Sequence, residues 1–310
     1  MLYRMATVAL NAYRESVRAR VLIGLACIAF AVAFYSLIVG AYTLNESPRV
    51  VGDLGAAGIS LFSIVVAVAI SATTLHRELE QKTVLPILAR PLGRGEYVVG
   101  KYLGTMLVVG VFIMADAGLV LMMSAALAGR SLALVLTLGL GLCTSFGVAA
   151  MRWPSVATFG PIVWAAAMLL AGVLLSGNTP PERLLVLSSS LLSFFEVAVV
   201  AAIATFFAAF STPFLTTFFT AGTFILGRSA DSLARLPRKI FGAALHQAGV
   251  VLSQLVPNLQ VYVPARPLLT GEALNVHVGS YLGMAAVQAG AWALGLLACA
   301  SFVFRRRDFL

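Results

Sequence analysis

Two carboxylates stand inside long apolar runs, Asp116 in VVGVFIMADAGLVLMM and Glu196 in LLSFFEVAVVAAIATFF. An ionised carboxyl at the centre of a bilayer costs about 2.5–3.5 kcal/mol on insertion scales, so each has to face a bundle interior or a wet cavity. Two roles suit such a group: contact with a proton, ion or substrate, or a hydrogen bond that joins helices. Both stay open here. Gly95-Glu96-Tyr97-Val98-Val99-Gly100-Lys101 matches the first seven positions of a phosphate-binding loop, but Tyr102 stands where a Ser or Thr hydroxyl would hold magnesium, and no strand precedes it. The chain is therefore expected to bind no ATP itself. His76-Arg77-Glu78 has no second histidine at helical spacing, and neither G-x-S-x-G nor a paired-aspartate motif occurs, so no catalytic residue is expected. Cys27, Cys143 and Cys299 are isolated in apolar runs and read as small buried side chains. With His76, His246 and His277 scattered and only Met122-Met123 adjacent, no ligand set for copper or another soft metal stands out.

The elements that position these groups are membrane helices. Of 310 residues 60% are hydrophobic and 11% charged, against ~25% charged in a soluble domain. Apolar runs of about 20 residues match a ~30 Å hydrocarbon core. The chain is expected to be an all-α polytopic membrane protein, a single transmembrane domain over 1–310. Eight spans are expected: Val21–Tyr42, Gly55–Leu75, Lys101–Ala128, Leu132–Met151, Ser155–Ser176, Leu184–Phe210, Pro213–Gly227 and Gly279–Phe304. Residues 1–20 place Arg4, Arg14, Arg18 and Arg20 opposite Leu2, Met5, Ala9, Tyr13 and Val17, which suits a helix lying in the membrane interface. A cleaved signal peptide fits less well, because the first apolar run is too long and no small-residue cleavage site follows. Thr43–Asp53 reads as a polar connection. In 228–278 the shorter apolar stretch Ile240–Val256 carries His246, Gln247 and Gln254, and is expected to be re-entrant or interfacial. Gly100-x-x-x-Gly104 and Gly279-x-x-x-Gly283 have the spacing of close helix approach, which glycine-rich chains also produce by chance.

Between the second and third spans, Leu75–Gly104 collects Arg77, Glu78, Glu80, Lys82, Arg90, Arg94, Glu96 and Lys101. Its spacing fits an amphipathic helix, and Arg90-Pro91 turns the chain because a proline ring disfavours α geometry in the residue before it. Such a charged segment between two spans is expected to be a docking surface that receives force from a soluble partner. With eight spans, both termini, this segment and Arg152 share one side, which holds 13 of the 21 Lys and Arg. The other 8 include five in 228–278. The positive-inside rule then places both termini and Leu75–Gly104 in the cytoplasm. The basic run at 228–239 opposes that assignment.

The combined pattern resembles the ABC-2 type permeases, in particular the multicopper-enzyme-maturation (nitrous-oxide-reductase accessory) group. The resemblance is carried by Arg14-Glu15-x-x-Arg18, Asp53-Leu54-Gly55, Glu78-x-Glu80-x-Lys82-Thr83, Leu88-x-Arg90-Pro91-x-x-Arg94-x-Glu96-Tyr97 and Gly100-Lys101. It continues in Glu196, Phe210-Ser211-x-x-Pro213, Gly227-Arg228, Leu255-x-Pro257-Asn258-Leu259 and Phe304-Arg305-Arg306-Arg307-Asp308-Phe309. It implies an elbow helix over 1–20, a cytoplasmic coupling segment over 76–100 and a re-entrant extracytoplasmic element within 228–278. It further implies a second permease copy or paralogue, and a separate ATP-binding subunit that holds ATP and Mg2+ and docks on Arg77, Glu78, Glu80, Lys82, Arg90, Pro91, Arg94, Glu96 and Lys101. The location implied is the bacterial cytoplasmic (inner) membrane, with no nucleic-acid partner. Such permeases have six spans, so 131–176 reads as an inserted membrane hairpin. Two other classes compete: an ion- or proton-coupled secondary transporter using Asp116 and Glu196, and a membrane scaffold without transport. No residue pattern specifies a substrate.

Overall fold

Pro154, Pro180 and Pro213 each sit in the first turn of a helix, where the missing N–H breaks no intrahelical bond and the fixed φ suits the helix. They divide the apolar half of the chain into separate rods. A computed structural model describes residues 2–18, 20–43, 47–80, 93–271 and 277–306. Its elements are α1 (Leu2–Val17), α2 (Arg20–Ala41), α3 (Ser47–Glu80), α4 (Arg94–Leu127), α5 (Leu132–Arg152), α6 (Pro154–Leu175), α7 (Pro180–Ala208), α8 (Pro213–Arg228), α9 (Ala230–Ala234), α10 (Arg238–Leu255), α11 (Arg266–Leu269) and α12 (Val278–Arg306), with single 3-10 turns at Ser176–Asn178 and Gln260–Tyr262. No strand occurs among the described residues.

Among the described residues, six helical stretches are long and apolar enough to cross a membrane: Ser47–Thr74, Arg94–Leu127, Leu132–Arg152, Pro154–Asn178, Pro180–Ala208 and Val278–Arg306. The expected first span contributes a shorter apolar stretch, Gly24–Gly40, within α2. The expected seventh span is α8, whose 16 residues reach only about 24 Å at 1.5 Å per residue. The expected connection Thr43–Asp53 is helical from Ser47, because the Ser47 hydroxyl donates to the Thr43 carbonyl (2.6 Å) and Pro48 falls in the first turn.

α4 is the axis of the bundle. It buries residues from Tyr97 to Ala125 and packs on α1, α3, α6 and α7. α1 lies on its first turns through glycine contacts: a Cβ at Gly100 would meet Val8 at 2.7 Å, and one at Gly104 would meet Ala12 at 2.5 Å. Gly100-x-x-x-Gly104 is thus a real approach site, whereas Gly279 and Gly283 have open space beside them. A second close approach holds the 131–176 pair. A Cβ at Gly118 of α4 would meet backbone atoms of Met168 at 2.5 Å, and one at Gly172 of α6 would meet the Gly118 carbonyl at 2.6 Å. α5, by contrast, buries only Val135 and stands at the periphery.

One end of the bundle gathers three segments, α1, α12 and the start of α6, around the start of α4. Lys101 is buried there and pairs with Glu15 of α1 at 3.2 Å. Tyr97 stacks on Phe304 of α12 with ring centroids 6.0 Å apart, and the Arg94 guanidinium donates to the Arg305 carbonyl at 2.8 Å. Arg14 of α1 covers Phe159, just after the α5–α6 turn, at 4.9 Å. The described ends of the chain therefore share one end of the bundle.

Candidate functional site

The buried carboxylate Glu196 finds its partner on the short helix. α7 ends at Ala208, and Pro213 sends α8 back along it until Arg228 reaches the level of Glu196. The pair is bidentate: Arg228 Nε donates to Glu196 Oε1 at 2.7 Å and Arg228 Nη2 to Oε2 at 2.9 Å. Ser60 of α3 closes the triangle, donating to Glu196 at 3.3 Å and accepting from Arg228 Nη2 at 3.3 Å. Glu196 is fully buried and Arg228 keeps a quarter of its side-chain surface exposed. Planar two-point pairing of this kind fixes orientation as well as charge. It joins α3, α7 and α8 at one point.

Beside the pair lies a cavity of about 310 Å3, walled by α3, α7, α8 and the segment 262–269. The residues that lead into that segment, 258–261, are tied to the bundle at several points. The Leu259 N–H donates to the Gly227 carbonyl (3.0 Å), the Tyr281 hydroxyl to the Val261 carbonyl (2.5 Å), and Gln288 to the Asn258 carbonyl (3.4 Å). Gly227 is required at this crossing, since a Cβ there would meet the Pro257 carbonyl at 2.7 Å. At the rim Arg266 bridges two helices, pairing with Asp53 of α3 and with Glu182 of α7, the latter at 2.6 Å. Burial lowers the Arg266 pKa, but the Glu182 and Asp53 hydrogen bonds and charges outweigh it and hold the guanidinium above its ordinary value. Tyr262 points a buried hydroxyl with no partner among the described residues. Burial, then the Glu196 charge and Tyr281, push its pKa up to about 12, so it remains a donor at neutral pH.

The latch makes a testable claim. Arg266→Gln is expected to speed hydrogen exchange in 259–270 by roughly tenfold, equivalent to about 1.4 kcal/mol, because charge-assisted hydrogen bonds at the rim are lost. Exchange mass spectrometry in detergent reads it, and unchanged exchange would mean the remaining ties suffice.

Asp116, the other intramembrane carboxylate, is buried on α4, and its Oδ1 has no hydrogen bond among the described residues. It is not brought to the Glu196 site. Of the charged residues between the second and third spans, Arg94 and Glu96 open α4, where the Glu96 carboxylate accepts from the Gly93 N–H at 3.2 Å. Lys101 is turned into the α1–α4 contact. Arg77, Glu78 and Glu80 fall in α3 with side chains outside the described residues, and Lys82, Arg90 and Pro91 lie outside them altogether. Among the described residues no group of three His, Cys, Asp or Glu side chains gathers as a metal site.

Arg228 is the residue that sequence reasoning did not connect to Glu196, and Arg266 with Asp53 and Glu182 was not singled out as a cluster. A signal for the first existed: an arginine directly after an apolar run too short to span, in a chain with an unpartnered intramembrane glutamate. No protein-family model and no curated protein matches this chain.

Proposed function

We propose that this chain is the membrane-spanning permease subunit of an ABC-2 type transporter, paired with a second permease and driven by a separate ATP-binding subunit docked at 75–104. The observation that carries the reading is the end of the bundle next to that segment. α3 and α4 each run for 34 residues, about 51 Å, and so outlast a ~30 Å hydrocarbon core by about 20 Å. Around the first turns of α4 are locked α1, the start of α6 and the last turn of α12. A push on the charged segment would thus be delivered to a braced end rather than to a loose loop.

Charge supports the orientation. The braced end carries Arg4, Arg14, Arg18, Arg94, Arg152, Arg305 and Arg306, which the positive-inside rule assigns to the cytoplasm. Arg228, which counted against that assignment, is neutralised by Glu196 inside the bundle. α1 acts as the elbow: it buries Val8, Ala9, Ala12 and Tyr13 and exposes Tyr3, Arg4, Leu10 and Arg14. α9 to α11 form the returning extracytoplasmic element. The count of six long helices with α2 and α8 added gives the eight-membered arrangement, with α5 and α6 as the inserted pair.

Charge reversal at Glu78 or Arg94 is expected to abolish co-purification of an ATPase while leaving the melting temperature within a few degrees, since charges at a docking surface set specificity and encounter rate. A gentle pull-down with ATPase assay and mass spectrometry tests it. The secondary-transporter reading keeps one favouring observation, the Asp116 oxygen without a hydrogen bond among the described residues. An ATPase-free preparation active in proteoliposomes, and silenced by Asp116→Asn, would replace the permease reading with it.

A further inference from the structure

The helices of the 131–176 pair enclose a groove that the Glu196 site does not touch. Leu142, Phe146 and Ala149 of α5 form one wall and positions 155–167 of α6 the other, around about 600 Å3. Aromatic packing makes its floor rigid. The Phe146 ring stacks on Trp164 with centroids 5.5 Å apart, and Gly160 admits that ring, since a Cβ there would meet Phe146 at 2.9 Å. Along α6 the wall runs about 18 Å at 1.5 Å per residue, a little more than one leaflet of a ~30 Å hydrocarbon core. Two serines interrupt the apolar lining. Ser145 donates to the Leu142 carbonyl at 3.1 Å, and Ser155 lies at the start of α6.

That end of the groove is basic. Ser155 and Phe159 both line it, one turn apart on α6, and the Arg14 guanidinium of α1 lies over the Phe159 ring at 4.9 Å. A ring across the face of a guanidinium leaves its in-plane N–H donors for other partners. Arg14 is exposed, and its guanidinium has no hydrogen bond or ion pair among the described residues. Arg18, one turn further along the chain, and Arg152, three residues from both Ala149 and Ser155, are likewise exposed and unpaired among the described residues. Glu15, the only carboxylate on α1, is taken by Lys101 at 3.2 Å. An anionic group arriving here therefore meets cations that no described carboxylate has matched.

We propose that this groove holds an acidic membrane phospholipid, its acyl chain lying between α5 and α6 and its phosphate accepting from Arg14 and the Ser155 hydroxyl. The planar fork of arginine pairs phosphate oxygens two at a time. A zwitterionic lipid would bring an ammonium group against the same arginines. The bound chain would also give α5, which buries only Val135, a second apolar contact. The site requires only this chain and the bilayer, so its failure and that of the permease reading are separable.

The test is native mass spectrometry of the full chain released from nanodiscs of equal parts phosphatidylglycerol and phosphatidylcholine. One retained phosphatidylglycerol per chain is expected, in preference to phosphatidylcholine. Arg14→Gln should lower that preference roughly three- to tenfold, and Arg14→Lys by less, because it keeps the charge and loses the fork. Val163 lines the groove and is 72% exposed, so Val163→Trp should cut retention of both lipids without lowering the melting temperature. A phosphatidylglycerol with a diazirine near the end of its acyl chain should cross-link within 142–149 or 163–167. Equal retention of the two lipids, or a preference that survives Arg14→Gln, would overturn the acidic-lipid assignment. Cross-links confined to other helices would overturn the site. A lipid-free dimer that Val163→Trp splits would give the groove to a second copy of the chain and overturn the lipid.

Discussion

Arg228→Ala is expected to destabilise the protein by about 3–5 kcal/mol, the cost of leaving a buried ion without its counter-charge. Glu196 is fully buried, and its charged hydrogen bonds come from Arg228, with Ser60 as a weaker donor. Removing the guanidinium therefore strands the carboxylate in the middle of three helices, and the contact that sets where α8 stops is lost with it. The double variant Glu196→Gln with Arg228→Gln should recover most of the loss, because no charge is left uncompensated and the two amides can pair. Melting followed by tryptophan fluorescence in one detergent, with wild type, both single variants and the double, measures this. Equal melting temperatures for wild type and Arg228→Ala would show that water reaches Glu196 freely and that the pair is no lock.

Gly118→Val is expected to be the most damaging of the glycine substitutions, costing about 1–3 kcal/mol or more through overpacking. The new Cβ would lie 2.5 Å from the backbone carbon and oxygen of Met168, and on the other helix a Cβ at Gly172 would meet the Gly118 carbonyl at 2.6 Å. Backbone on both sides leaves no side chain to rotate away, so α6 must translate as a body and carry α5 with it. Gly141→Val is the control, because a Cβ there meets nothing within 4 Å. Comparable melting temperatures for the two variants would mean that α4 and α6 are not held at this distance. The pair α5 and α6 is thereby tied to the axis of the bundle mainly through α6, while α5 buries only Val135, against Met122 and Ala125 of α4.

The local elements were largely legible because their causes are local. Proline in the first turn separates α6, α7 and α8 from what precedes them, and an apolar run of sufficient length describes a span without reference to its neighbours. At α8, length alone does not account for where the helix ends. Its 16 residues resemble a short span, and only the return of Pro257 to Leu259 onto Gly227 and the Glu196 pair explain why the helix stops at Arg228. Gly100-x-x-x-Gly104 was visible as spacing, but its meaning required the partner, α1, whose Val8 and Ala12 fill the groove.

By itself, then, the sequence determined a helical membrane protein, its main rods, the basic bias of one end, and the requirement that Asp116 and Glu196 be sheltered from lipid. Those follow from the cost of exposing charge or unpaired backbone to hydrocarbon, which each segment meets separately. Only the tertiary structure decided that Glu196 is spent on Arg228 while Asp116 keeps an oxygen without a hydrogen bond among the described residues, that Arg266 joins Asp53 to Glu182, and that a cavity lies between them. These pairings join residues 32, 84 and 213 positions apart. A side chain of either sign can serve many partners at that separation, and the choice is made by which helices pack, at what depth, and where a glycine lets two backbones touch.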